Sequence, residues 1–212
     1  MVVVVVMRCG ASVVGRRMSV QQPSALLPRG EQSTRFDETP TRSPAVARTG
    51  FTGQVLASTD GWTTCALGHR HWGRAGAAGL FLHRDGVNGP EVLLQHRAEW
   101  SHHGGTWSTP GGALHEGEPA DVGALREVRE ELGLLPDDVV LGARSVDDHG
   151  GWSYTTVLAR PARSIEPSDL RLDGESTGAA WLPVDGLDTV PLHPGLASSL
   201  GRLRPLLEDA AR

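Results

Sequence analysis

The sequence predicts an α/β fold in which a mixed β-sheet lies between helices. Three observations predict it. An amphipathic helix sits mid-chain, within Gly112 to Leu134 (GALHEGEPADVGALREVREELGL). Short apolar runs of strand character, bounded by turn residues, stand on both sides of it. A Leu-rich segment of helical spacing then closes the chain.

The elements follow in order. Residues 1–50 combine an apolar Val2–Val6 run with a stretch dominated by Pro, Ser, Thr, Gln and Arg, and offer little to bury. They read as a poorly ordered tail ahead of a domain over 51–212, whose core spans about 70–210. The Val run is too short to cross a bilayer, and Arg8, Arg16 and Arg17 follow it, the wrong order for a secretory signal. Met7 and Met18 are alternative starts. Gln54–Ala57 reads as a short strand ended by Asp60-Gly61. Ala75–His83 reads as a buried strand whose small residues allow close packing, and Glu91–Arg97 as its partner across an Asp85–Pro90 turn. After the helix, Val139–Ser145, Ser153–Ala159 and Thr177–Leu182 are strands, with Asp147–Trp152 a hairpin loop. Gly195–Ala211 carries Leu196, Leu200, Leu203, Leu206 and Leu207 at helical spacing, and Pro205 is expected to kink or divide it.

Composition narrows the function. The 212 residues carry a net charge of -5, which argues against a nucleic-acid binder. No Lys occurs, so any cation that grips an anion is Arg or a metal. Residues 1–50 hold seven Arg against three acids, whereas 51–212 hold thirteen against twenty-two. Two distant cysteines, Cys9 and Cys65, suit a reducing cytoplasm and give no disulfide framework. Cys65, His69 and His71 are zinc-type residues, but no second Cys pair accompanies them and their spacing matches no common zinc module; packing or a substrate loop is the reading taken.

The mid-chain helix carries the chemistry. Glu127, Glu130 and Glu131 stand at i, i+3 and i+4 and therefore share one face. Three carboxylates so close repel one another unless a cation neutralises them, and an oxygen-only set selects Mg2+, with Mn2+ as the alternative. Val122, Leu125, Val128 and Leu132 mark the face that packs on the sheet. Pro119 suits the first turn and Gly133 the stop. Arg126, four residues before Glu130, is placed to orient a carboxylate.

Gly112, five residues, Glu118, seven residues, then Arg126-Glu-Val-Arg-Glu-Glu131-Leu-Gly-Leu134 resembles the Nudix box at every fixed position. The preceding Trp107-Ser-Thr-Pro110-Gly111-Gly112 strengthens the resemblance. It implies an α/β/α sandwich with a loop–helix–loop catalytic box, and hydrolysis of a pyrophosphate bond in a nucleoside diphosphate derivative. It also implies that Glu127, Glu130 and Glu131, with the Gly112 carbonyl, are metal ligands, and that the general base lies in the box (Glu127) or on a later loop, where Glu175 matches by position. Glu118 is expected to order the box loop. Beyond the box, Arg97 is a candidate for phosphate or nucleotide oxygens, His102 and His103 for the pocket, and Trp152 and Tyr154 for stacking on a base or for packing.

The substrate follows by elimination. The ADP-ribose type of the family carries a downstream Pro where this chain has Asp148-His149-Gly150-Gly151. The Ser-Gln-Pro-Trp array of the NADH type is missing, and Tyr154 fits the diadenosine type loosely. The reading is therefore a nucleoside triphosphate pyrophosphohydrolase of MutT-like character, with 8-oxo-dGTP the leading candidate. The alternatives are an ADP-ribose or other nucleotide-sugar pyrophosphatase and, outside enzymes, a nucleotide-sensing module. Retention of every box glutamate counts against the sensor, and the placement of Cys65 counts against an isomerase of the same fold. A cytoplasmic location and no nucleic-acid or membrane partner complete the expectation; many relatives form homodimers, and a homodimer is left open, since no residue marks a partner face.

Overall fold

The computed structural model describes residues 57–209, so the expected tail, its domain boundary and most of the Gln54–Ala57 strand lie outside the described residues. The described chain runs β1 (Trp62–Thr64), β2 (Arg70–Trp72), β3 (Ala77–Gly86), β4 (Gly89–Arg97), β5 (Trp107–Ser108), β6 (Gly111–Ala113), α1 (Ala120–Leu132), β7 (Val139–Asp148), β8 (Ser153–Pro161), β9 (Ser176–Pro183) and α2 (Pro194–Asp209). β1 and β2 form a separate antiparallel hairpin. The other strands build one mixed sheet in the order β5-β4-β3-β8-β7, with β6 added to β3 and β9 to β4. β3 and β8 run parallel, from Ala77 opposite Tyr154 to Leu82 opposite Ala159, and the remaining pairs are antiparallel.

Strand alternation divides the apolar residues between the two faces of the sheet. Leu80, Leu82 and Leu93 pack with Ala124, Val128 and Leu132 of α1. Phe81, Val92 and Leu94, one position out of phase, pack with Leu196, Leu200, Leu203 and Leu207 of α2. The result is the expected α/β/α sandwich.

Three expectations need correction. Val122 is exposed, and Ala124 takes the buried position; a small residue lets the helix backbone approach the sheet. Pro205 does not divide α2, because it and Gly201, whose carbonyl loses its i+4 donor, both face solvent. The strands β7 and β8 extend further than expected and shorten the intervening loop, since backbone pairing continues to Asp148 opposite Ser153. Gly133 ends α1 as expected, in the left-handed conformation (φ 72°) that glycine adopts without a Cβ clash.

Candidate active site

The site forms where β6 hands the chain to α1. β6 is pinned to the start of β3 by the pairs Ala77–Ala113, Ala78–Gly112 and Gly79–Gly111. This holds the Gly111-Gly112 backbone directly against the acidic face of α1. A Cβ at Gly112 would lie 2.7 Å from the Glu127 carboxylate and would push it aside. The Gly111 N–H donates to Glu131 Oε2 (2.8 Å).

Arg126 organises the acids. Its Nε and Nη2 donate to the two oxygens of Glu118 (3.0 and 2.9 Å), a bidentate pair. Nη2 also donates to the Ala113 carbonyl (2.8 Å), and Nη1 donates to Glu127 (2.6 Å) and Glu130 (3.3 Å). Glu118 in turn accepts the His115 N–H (2.9 Å) and so fixes the loop, as expected of it. One guanidinium thereby ties the loop before α1 to two carboxylates of the helix.

The acids divide by environment. Burial works against the charge on Glu118, yet the Arg126 hydrogen bonds and the His115 N–H together hold its carboxyl below the usual range. Glu127 is pushed up by burial and by its acidic neighbours, against the pull of Arg126. Glu131 is pushed up to about 8, by burial first and then by the Glu127 charge, although Gly111 and Gln95 hydrogen-bond to it. Arg126 therefore compensates Glu118 well and leaves Glu127 and Glu131 short of positive charge. The donors that α1 presents to the cavity, Glu127, Glu130 and Glu131, are oxygen only. These residues fit a hard divalent cation, which would supply the missing charge.

Eight of the residues singled out from the sequence, Arg97, His103, Gly112, Glu127, Glu130, Glu131, Trp152 and Glu175, line one cavity of about 950 Å³. Glu175 lies on the loop before β9, where its carbonyl accepts the Ala98 N–H (2.8 Å) and its carboxylate is 3.9 Å from Arg97. Arg97 also donates through Nε to the His102 carbonyl (2.9 Å). Trp152 has one face covered by the stacked His71 ring (3.8 Å between centroids) and its N–H bound to the Gly73 carbonyl (2.8 Å). Tyr154 is a brace rather than a stacking platform. Its hydroxyl occupies the space that side chains at Gly79 and Gly111 would need, and burial pushes that hydroxyl up to about 12.

Sequence reading missed Asp173 and His193, which line the cavity near Glu131 and His103, as it missed His149 at the rim. Asp173, whose N–H donates to the Glu131 carbonyl (3.1 Å), accepts the Glu175 N–H (3.0 Å) and places a second carboxylate on the same loop. His193 is brought in by pairing of its own segment with Trp107, whose carbonyl accepts the His193 N–H (2.9 Å). Burial, and then the His103, Arg97 and His102 charges, push His193 down to about 4, so it is a neutral ring beside His102 and His103. Its only sequence signal was a lone histidine between prolines.

Comparison with known proteins finds a matching family and fold. The family model for the NUDIX domain matches residues 73–203. A crystal structure of a Nudix hydrolase from M. smegmatis, RenU, superposes with a TM-score of 0.64 at 39% identity, over 71% of this chain and 96% of that one. A Mycobacterium tuberculosis protein, provisionally named 8-oxo-dGTP diphosphatase 3, is 41% identical over 161 residues, 73% of each chain. A Bifidobacterium longum nucleoside triphosphate pyrophosphatase/Nudix hydrolase fusion protein is 41% identical over 157 residues, 72% of this chain but 32% of its own length. The chain therefore spans about a third of that fusion protein.

Proposed function

That the chain belongs to the Nudix hydrolase family is the premise from which we propose a divalent-metal-dependent diphosphatase, acting on a nucleoside triphosphate to release a monophosphate and pyrophosphate. The observation that carries the reading is the acidic row of α1, gripped by Arg126 on one side and left short of positive charge at Glu127 and Glu131 on the other. A site built to bind an acidic ligand would not present uncompensated carboxylates; one built to hold a cation for a phosphate would.

Glu127, Glu130 and Glu131, with the Gly112 carbonyl, would hold Mg2+ or Mn2+. Such an ion, when bound, neutralises pyrophosphate oxygens and lowers the pKa of a water. The chain's own residues do the rest. Arg126 keeps Glu127 and Glu130 aligned toward the cavity. Arg97, which lines the same cavity, would take a phosphate or nucleotide oxygen. Glu175 is the proposed base that takes the proton of the attacking water, with Asp173 beside it as the competing carboxylate. The name of the M. tuberculosis relative supports 8-oxo-dGTP as the substrate. Among the described residues Cys65 is a free, buried thiol, which accords with a cytoplasmic setting.

Product analysis tests the proposal. The purified protein, with Mg2+ and then with EDTA, is offered canonical and 8-oxo deoxynucleoside triphosphates, ADP-ribose, NADH and diadenosine tetraphosphate. Mg2+-dependent release of monophosphate and pyrophosphate, fastest from 8-oxo-dGTP, is expected. Preferred cleavage of ADP-ribose would overturn the substrate and keep the chemistry. No turnover of any compound by folded protein would overturn the reading.

A further inference from the structure

Away from the acidic row, a second cluster stands at the cavity rim. Cys65, His69, His71 and His149 place one ligand atom each so that all of these atoms lie within 4.8 Å of one another. The local chain explains the convergence. Cys65 follows β1 and its N–H donates to the His69 carbonyl (3.0 Å), closing the β1–β2 turn. His69 and His71 are two residues apart on extended chain and share a face, whereas Arg70 between them turns outward over the Trp62 ring (4.8 Å). His149 arrives from the β7–β8 turn, which is fastened to the hairpin by the Ala66 N–H donating to the Gly150 carbonyl (2.8 Å). That turn requires glycine: Gly150 has φ +69°, and a Cβ there would lie 2.9 Å from Ala66 Cβ.

Two ring nitrogens in this cluster, His71 Nε2 and His149 Nδ1, are buried and have no hydrogen-bond partner among the described residues. A buried polar atom without a partner costs about 1–3 kcal/mol, so an unexplained pair in one cluster calls for a ligand. The Asp147 carboxylate faces the other nitrogen of His149, Nε2, at 3.4 Å. A carboxylate behind a histidine in this way fixes the tautomer that leaves Nδ1 free to ligate a metal.

We propose that Cys65, His69, His71 and His149 form a structural zinc site that staples the β1–β2 hairpin to the β7–β8 turn. One thiolate and three imidazoles suit Zn2+ and disfavour Mg2+, and four protein ligands leave no open position for chemistry. Tetrahedral zinc with bonds of about 2.0–2.3 Å spaces its ligand atoms by roughly 3.3–3.8 Å, within reach of small side-chain rotations from the present positions. Binding converts the Cys65 thiol to thiolate and releases its proton to solvent. The staple fixes the hairpin that carries Trp62 and Trp72 into the cavity wall. It is separate in residues and in ligand type from the Glu127, Glu130 and Glu131 set.

The test is metal analysis of the full-length protein, purified without a metal-affinity tag, followed by Co2+ substitution. About one zinc per chain is expected, and Co2+ should give tetrahedral visible bands with a thiolate-to-cobalt charge-transfer band in the near ultraviolet. Cys65→Ser should abolish the charge-transfer band. His149→Ala should lower zinc content, and Asp147→Asn should weaken zinc binding by about 10- to 100-fold. Glu130→Gln, which leaves this cluster intact, should keep its zinc. Absence of bound zinc together with an octahedral Co2+ spectrum in folded wild-type protein would overturn the proposal without recourse to any variant. Survival of the charge-transfer band in Cys65→Ser would overturn it equally.

Discussion

At the scale of single residues, Arg126 is the position on which the most side-chain hydrogen bonds converge among the described residues. Its five contacts require a planar fork, which Lys lacks, so Arg126→Lys should lower kcat/KM by about 10- to 100-fold, as loss of a ligand-orienting partner does. Arg126→Ala goes further, because it strands Glu118, which is only 9% exposed; unfolding in urea should show a loss of about 3–5 kcal/mol. Glu130 behaves oppositely. Its side chain is 59% exposed, so Glu130→Gln should abolish turnover and leave the unfolding midpoint unchanged; undiminished activity or an unfolded variant would refute its role as a metal ligand. Glu131 sets a pH dependence. In the metal-free fold its pKa is about 8, against 4.5 for an ordinary glutamate, so the folded state holds a proton that the unfolded state has lost. Stability from this group is complete below the unfolded pKa and declines as pH rises toward 8. Urea unfolding in EDTA between those limits should show the decline, and Glu131→Gln should flatten it; equal slopes in both proteins would dismiss the assignment.

At the scale of elements, legibility followed sequence separation. The acidic face of α1 was readable because i, i+3 and i+4 positions meet whatever the rest of the chain does. The core strands were readable because Leu80-Phe81-Leu82 and Val92-Leu93-Leu94 are continuous apolar runs, although which face each residue served emerged only with the helices in place. The β1–β2 hairpin was missed: its strands are three residues each, and its cohesion comes from Trp62 against Trp72 and from a distant turn. Asp173, His193 and His149 were missed for the same physical reason, since nothing local marks a residue delivered by pairing with a remote segment. α2 carries its own prediction. Pro205 sits on the solvent face of a helix that runs through it, so Pro205→Ala restores a backbone hydrogen bond without disturbing packing. A gain of about 1–3 kcal/mol in urea unfolding is expected; a loss would mean that the proline ring makes a contact that matters.

At the scale of the molecule, the question is where the working unit begins. The family match starts at residue 73, but the structure ties earlier residues to the catalytic loop. The Glu116 N–H donates to the Ala57 carbonyl (3.0 Å), Arg74 N–H donates to the Thr59 carbonyl (3.0 Å), and the Thr59 hydroxyl donates to the Leu114 carbonyl. Leu114 and Glu116 belong to the loop between β6 and α1, the same loop that Glu118 and Arg126 hold in place. The segment from Ala57 to Trp72 is thus part of the site's scaffold, not a linker ahead of it. Two truncations separate these views. Removal of residues 1–50 takes away seven of the twenty Arg and none of these contacts, so kcat and thermal midpoint should hold. Removal of residues 1–72 deletes the Thr59 anchor and the whole hairpin, and should cost about 2 kcal/mol or more, a fall of roughly 4–8 °C, together with most of the activity. Equal behaviour of the two truncations would return the boundary to residue 73 and make the hairpin dispensable; loss of activity on removing 1–50 alone would give that segment a role in turnover.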